Sequence, residues 1–130
     1  MGIECRYWGI FFDHDDLPDG VLDKDIENKH ITMGYRQPCP EDILGCEVEV
    51  EVIGYGNDDA NEGYEVELPD FLYDYWNNGE AVPHITLSIA DGAAAKDTGY
   101  INFYPIDDPF YATGYVGYFG FDQEVHFNWW

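Results

Sequence analysis

Residues 46–56, CEVEVEVIGYG, carry the clearest secondary-structure pattern in the chain. Val48, Val50 and Val52 alternate with glutamates, and this period of two is typical of a β-strand with one buried face. A second alternating run, YEVELP at residues 64–69, follows the turn-forming segment NDDANEG. Residues 46–68 are therefore predicted to form an antiparallel hairpin with a fairly long loop.

Further elements are predicted on both sides of this hairpin. Strands rich in aromatic or β-branched residues are expected at 4–12, 30–36, 84–90 and 100–106, with a last strand or hairpin at 115–130. Short helices are expected at 21–29, in one turn ended by Gly45, and at 68–79. Both halves contain a strand, a short helix and a second strand, which predicts a pseudo-duplicated α+β domain.

Length and composition indicate one domain, residues 1–130. The chain is 45% hydrophobic and 18% aromatic, which argues against disorder. The three cysteines are odd in number and lack metal-ligand spacing, so we interpret them as packing thiols in a reduced compartment. Because the chain shows no signal peptide and no apolar run of about 18 residues, we expect a cytoplasmic protein, in the host cytoplasm if viral.

The net charge is strongly negative. Five Lys and Arg stand against 27 Asp and Glu, which gives −22. This balance disfavours long nucleic acid as a partner, and we expect a monomer that does not bind membranes. The sequence leaves three explanations open: an acidic surface without a specific partner, adaptation to high salt, or mimicry of a nucleic acid.

The tripeptide His-Ile-Thr occurs twice, at residues 30–32 and 84–86. On a strand, residues i and i+2 point to the same face, so His30 shares a face with Thr32, and His84 with Thr86 and Ser88. Two facing imidazoles can act as general base and general acid, and two hydroxyls beside them can donate hydrogen bonds to phosphoryl oxygens. This chemistry requires no metal and no cofactor, and we expect neither.

The two motifs, HITM at 30–33 and HITL at 84–87 with Pro83 before it, resemble the paired His-x-Thr/Ser-x motifs of the 2H phosphoesterase superfamily. The segment HITLSIADGAAAKDTG is similar to the cyclic phosphodiesterase domains of tRNA ligases. The resemblance implies a compact bilobal α+β fold of pseudo-duplicated antiparallel sheets with a few short helices. It also implies catalysis by His30 and His84, with Thr32 and Thr86 as donors to the phosphate.

Other residues are candidates for substrate binding. Lys96 and Thr98 follow the second motif and either contact phosphate or belong to a solvated loop. Arg36 either contacts phosphate or pairs with carboxylates, and Tyr35 is a candidate for stacking on a base. Tyr7 and Trp8 are alternatives for stacking. His14, in DHDD, is not expected to bind metal, because adjacent loop residues rarely give suitable geometry.

The function expected from these features is metal-independent hydrolysis of 2′,3′-cyclic phosphates or related 2′-linked phosphodiesters, on a small nucleotide or an RNA end. Two alternatives to this function remain. One is a viral enzyme that degrades cyclic-nucleotide signals of host defence. The other is a non-catalytic acidic protein that binds a partner or mimics nucleic acid. His84 is favoured as the base and His30 as the acid, although the pseudo-symmetry allows the roles to exchange.

Overall fold

The computed structural model of the chain describes residues 5–13, 16–26, 28–76 and 79–128. Its architecture is an antiparallel β-sheet with few and short helices, which agrees at a coarse level with the α+β prediction. The strands are β1 (Cys5–Phe12), β2 (Lys24–Asp25), β3 (His30–Tyr35), β4 (Glu47–Asn57), β5 (Asn61–Glu67), β6 (His84–Ile89), β7 (Tyr104–Gly120) and β8 (Val125–His126). The helices are α1 (Asp70–Tyr73) and a 3₁₀ helix, Ala95–Tyr100.

The predicted hairpin forms the middle of the sheet. Strands β4 and β5 pair from Glu51 opposite Glu67 to Asn57 opposite Glu62, with an irregularity between Val52 and Gly54. The three alternating valines of β4 are buried, whereas Glu47 and Glu49 point to solvent. The alternation of the sequence therefore sets which face of the sheet is buried.

The strand order brings the two His-Ile-Thr strands to distant positions along one sheet. The order is β2-β6-β5-β4-β7-β1-β3, and β8 pairs with β7. Among the described strands, β3 and β6 are not paired by hydrogen bonds, yet their Cα atoms approach within 8 Å. The sheet must therefore curl until β3 faces β6, which is what brings the two motifs together.

One hydrophobic cluster fills the interior of this curled sheet. Ile31 and Met33 of β3 and Ile85 and Leu87 of β6 have at most 1% of their surface exposed. They alternate with the motif histidines and threonines along each strand. Burial of these side chains, each worth about 1.5–3 kcal/mol, fixes the register that aims His30 and His84 away from the core.

The helix predicted for residues 21–29 does not form in the described part of that segment. The backbone N–H of Val21 donates to Glu62 Oε1 at 2.9 Å, and that of Leu22 donates to Ser88 Oγ at 3.1 Å. Lys24 and Asp25 then pair with the end of β6 as β2. Hydrogen bonds to buried side chains of the sheet replace the hydrogen bonds of a helix, which the local periodicity does not reveal.

Other boundaries differ from the prediction by smaller amounts. The strand expected at 100–106 begins only at Tyr104, because residues up to Tyr100 belong to the 3₁₀ helix. The helix expected at 68–79 is confined to Asp70–Tyr73 and the turn that follows. The last element, expected as a strand or a hairpin from residue 115, is a hairpin in which the end of β7 pairs with β8.

The cysteines occupy three different environments. All three are free thiols: Cys39 is buried, Cys5 is half-buried and Cys46 is exposed. A packing role therefore fits Cys39 and Cys5 but not Cys46. As for membranes, none of the helices among the described residues has the length and apolar character needed to cross a bilayer.

Candidate active site

His30 lies at the start of β3 against an aromatic surface of β1. Its ring stacks on Tyr7 with 4.8 Å between centroids and on Phe11 with 5.2 Å. Its Nδ1 lies 2.6 Å from the backbone carbonyl oxygen of Asn28. These contacts hold the ring in one orientation at the edge of the sheet.

His84 is held by an equivalent contact at the start of β6. Its Nδ1 lies 2.7 Å from the backbone carbonyl oxygen of Val82, and the residue is 9% exposed. The ring also packs closely on Gly99, where a Cβ atom would lie 2.8 Å from Cε1 of His84. The 3₁₀ helix that contains Gly99 therefore forms one wall around this imidazole.

The two histidines share one hydrogen-bonding arrangement. In each, Nδ1 faces the carbonyl oxygen of the residue two positions earlier. A carbonyl oxygen only accepts, so Nδ1 must carry the proton. In the neutral ring this tautomer leaves Nε2 with the lone pair, as the nitrogen that can exchange a proton with a ligand.

Burial favours the neutral form of both rings. Desolvation lowers the pKa of His30 from 6.5 to about 4, and the nearby His84 adds a smaller effect in the same direction. Desolvation also lowers the pKa of His84, and in both rings the carbonyl hydrogen bond opposes the effect. The strands that carry the two imidazoles, β3 and β6, approach within 8 Å between Cα atoms.

A glycine lies opposite the threonine of each motif in the neighbouring strand. Thr32 pairs with Gly9 of β1, and Thr86 pairs with Gly63 of β5. A Cβ atom on Gly9 would lie 1.8 Å from the carbonyl oxygen of Ile31, and one on Gly63 would lie 2.6 Å from that of Ile85. Both motif strands thus approach their neighbours more closely than a residue with a side chain allows.

A cavity of about 300 Å³ opens beside His84. Four of the residues singled out from the sequence line it together: Thr32, Tyr35, His84 and Lys96. Thr32 belongs to β3 and His84 to β6, so the cavity spans the two motif strands. Its volume suits a phosphate group and part of a nucleoside.

Lys96 carries positive charge to this cavity. All five Lys and Arg lie within the described residues, and Lys96 is the one among them that lines the cavity. Arg6 lies over the ring of Phe119, and Lys24 pairs with Asp91 at 3.3 Å. Lys29 is buried, and its Nζ lies 3.1 Å from an oxygen of Asp25.

The remaining sequence candidates lie outside the cavity lining, and His30 is one of them. The hydroxyl of Thr86 donates to the carbonyl oxygen of Ala95 at 3.3 Å. Thr98 is completely buried and accepts a hydrogen bond of 3.0 Å from Asn61 Nδ2, so its side chain has a packing role. Arg36 is exposed, and its backbone N–H donates a hydrogen bond to the carbonyl oxygen of Arg6.

Three lining residues were not singled out from the sequence: Ala81, Asp97 and Tyr100. Tyr100 is 65% exposed, and with Tyr35 at 49% it supplies a second accessible aromatic ring. Asp97 and Tyr100 lie close to Lys96 in the chain, and this proximity was the feature that could have identified them. Trp8, a candidate for base stacking, is 2% exposed and packs edge-on against Tyr75, so it cannot stack on a ligand.

One group of potential metal ligands lies in the turn between β7 and β8 and in β8 itself. Among the residues that the structure describes, the group Asp122, Glu124 and His126 has ligand atoms within 4.8 Å of one another. His126 Nε2 contacts Asp122 at 2.8 Å, and its ring stacks on Tyr118. His14, the other histidine considered above, lies outside the described residues.

Comparison with models of protein families gives no match, and a search of curated proteins finds no significant relative.

Proposed function

We propose that the chain is a metal-independent phosphodiesterase that hydrolyses 2′,3′-cyclic phosphates or related 2′-linked phosphodiesters by paired-histidine acid–base catalysis. One observation carries the proposal: two imidazoles on strands whose Cα atoms approach within 8 Å, each with Nδ1 held by the carbonyl oxygen two residues earlier. A single buried histidine with one backbone hydrogen bond is ordinary packing. Two with the same arrangement on facing strands, one of them in the wall of a cavity that also contains a threonine and a lysine, fit proton transfer on both sides of a phosphate.

The reaction divides into two proton transfers. Nε2 of one neutral histidine takes a proton from water as the water oxygen attacks phosphorus. The bond from phosphorus to the leaving ribose oxygen breaks, and Nε2 of the other histidine, protonated beforehand, donates its proton to that oxygen. The products are a phosphomonoester and a ribose hydroxyl, and the second histidine ends neutral.

Charge on the phosphoryl oxygens is stabilised by groups at the cavity wall. Lys96 supplies a positive charge, and Thr32 supplies a hydroxyl beside His84. Thr86 can contribute once its hydroxyl turns from the carbonyl oxygen of Ala95, a hydrogen bond that at 3.3 Å is long. Such donors are most effective when they are fixed before the reaction.

The site favours a protonated histidine only when the substrate is bound. Desolvation lowers both pKa values, so both rings are neutral at pH 7. A bound phosphodiester brings a negative charge next to the imidazoles and raises their pKa values. The two rings share the hydrogen bond from Nδ1 to a backbone carbonyl oxygen, so the position of the leaving oxygen decides which acts as acid.

The charge distribution favours a small substrate or a chain end. The cavity offers one lysine beside the carboxylate of Asp97, on a chain of net charge −22. A polymer would carry many phosphates past this acidic surface, whereas a nucleotide brings one. Tyr35 and Tyr100 are accessible for stacking on its base, an interaction worth about 1–3 kcal/mol.

The repeated local structure also supports a pseudo-duplicated fold. Each motif has a histidine bound to the carbonyl oxygen two residues earlier, a threonine opposite glycine, and an isoleucine carbonyl against that glycine. These features extend the sequence repeat into the neighbouring strands. They are the pattern expected when one strand pair is duplicated and the sheet folds the copies together.

The test is a substrate panel of 2′,3′-cyclic mononucleotides, cyclic oligonucleotides and 2′–5′ linked oligomers, each incubated with and without EDTA. We expect turnover of at least one class, unchanged by EDTA and lost in His84→Ala. Turnover of cyclic oligonucleotides alone would favour the degradation of defence signals. No turnover of any class by the folded protein would contradict the proposal.

A second candidate, nucleic-acid mimicry, is favoured by a row of carboxylates. Glu47, Glu49 and Glu51 alternate along one face of β4, about 6.8 Å apart, and Glu67 pairs with Glu51. A mimic should inhibit a DNA- or RNA-binding protein and lose this effect when these glutamates are changed to glutamine. Hydrolysis should survive that change if the chain is the proposed enzyme.

A further inference from the structure

A second cavity, of about 270 Å³, has walls made largely of aromatic rings. It shares no lining residue with the first cavity. The lining residues are Phe11, Phe12, Asp13, Gly45, Tyr115 and Phe127. Phe11 also stacks on His30, but none of the lining residues takes part in the proposed proton transfers, so the composition of this cavity requires a separate explanation.

Three of the rings form two right-angled corners. The ring of Phe127 makes an angle of 89° with Phe11, with 6.3 Å between centroids, and 82° with Tyr115, with 6.4 Å. Edge-to-face packing at these separations is an arrangement that aromatic pairs prefer, and it fixes the ring of Phe127 against those of Phe11 and Tyr115. Tyr115 and Phe127 are 41% and 42% exposed, so they are the rings that offer accessible surface to the cavity, whereas Phe11 is 5% exposed.

Negative charge surrounds these rings. Asp13 lies in the cavity wall, and the hydroxyl of Tyr115 donates to Glu47 at 3.2 Å. Glu47 has the largest effect in raising the pKa of Tyr115, and Asp13 and Asp16 are close enough to raise it further. None of the residues described as lining this cavity carries positive charge.

We propose that this aromatic cavity binds a quaternary ammonium group. The faces of aromatic rings are negative, so they attract cations, and Asp13 and Glu47 add full charges at the rim. A trimethylammonium group is bulky and weakly hydrated, so it loses little by leaving water for an aromatic wall. Small hydrated ions require several oxygen ligands, which this wall does not offer. A neutral apolar ligand gains nothing from the carboxylates.

The test compares choline with its neutral isostere 3,3-dimethylbutan-1-ol. Binding to the whole chain is measured by calorimetry and by the methyl proton resonance of the ligand, at constant ionic strength set with sodium chloride. We expect choline to bind at least about tenfold more tightly, with its methyl resonance shifted upfield by the rings. Equal affinity for the two ligands, or no binding of choline, would overturn the proposal.

Matched variants separate the cavity from the general attraction of an acidic protein for cations. Tyr115→Leu and Asp13→Asn should each weaken choline binding about fivefold or more. The controls are Tyr111→Leu, an aromatic residue of the same strand that is 63% exposed, and Asp19→Asn, an exposed carboxylate. Equal losses in variants and controls would show that only net charge attracts choline and would refute the site. Asp13 is exposed, so its variant keeps the test valid even if Tyr115→Leu fails to fold.

Discussion

The lowered pKa of His30 makes a quantitative prediction about stability. In the folded chain the ring resists protonation down to a pKa of about 4, whereas in the unfolded chain it takes a proton near 6.5. Between these values the unfolded state binds more protons, so stability falls as the pH decreases from above 6.5 towards 4. At about 1.4 kcal/mol for each pH unit, the loss attributable to His30 is about 3 kcal/mol, an upper bound because the ring keeps partial exposure.

The measurement is urea unfolding of the wild type and of His30→Gln at pH 7.5 and pH 4. Glutamine cannot be protonated, so the variant lacks this loss, whereas the many carboxylates affect both proteins equally and cancel in the comparison. We expect the free energy of unfolding of His30→Gln, relative to wild type, to rise by about 2–3 kcal/mol on acidification. A relative stability that does not change with pH would refute the buried, neutral His30 described above. An NMR titration of the ring in the wild type provides an independent value.

Three further predictions follow from the site. Burial lowers the pKa values of both His30 and His84, so the singly protonated pair is most abundant below pH 6.5. We therefore expect kcat/KM to rise on acidification from pH 7.5, and a maximum of kcat/KM above pH 7 would contradict this. Lys96→Ala should lower kcat/KM about tenfold, mainly through KM, whereas Lys24→Ala, which removes a surface ion pair, should leave it unchanged. Gly99→Ala should lower kcat at least about tenfold, because the new methyl group displaces the ring of His84. If the NMR resonance of the His84 ring shifts in this variant while kcat stays at the wild-type value, that ring has no role in catalysis.

The sequence was most informative where a residue pattern depends on local geometry. The alternation of side chains along β4 and along the two His-Ile-Thr strands predicted which of them face the core. Ile31 and Ile85 are indeed completely buried. A period of two is enough for this, because the pleat of a strand separates its two faces. The hairpin of β4 and β5 is confirmed for the same reason.

Features that depend on contacts distant in sequence were harder to predict. The proximity of β3 and β6 results from the curling of a sheet in which they lie far apart, and no local pattern encodes that curl. Thr98 resembles a phosphate ligand in sequence but is held in the interior by Asn61, a residue 37 positions away. The segment 21–29 has the spacing of a helix, yet the buried carboxylate of Glu62 binds its backbone.

The central claim, catalysis by His30 and His84, is tested most directly by hydrolysis of 2′,3′-cyclic nucleotides in EDTA. The proteins compared are the wild type, the two single variants His30→Ala and His84→Ala, and the double variant, each first shown to be folded by circular dichroism. We expect each single variant to lose about 10²–10⁴-fold in kcat/KM, and the double variant to lose less than the product of the two, because the histidines act in one step. Wild-type rates in the folded double variant would contradict the account.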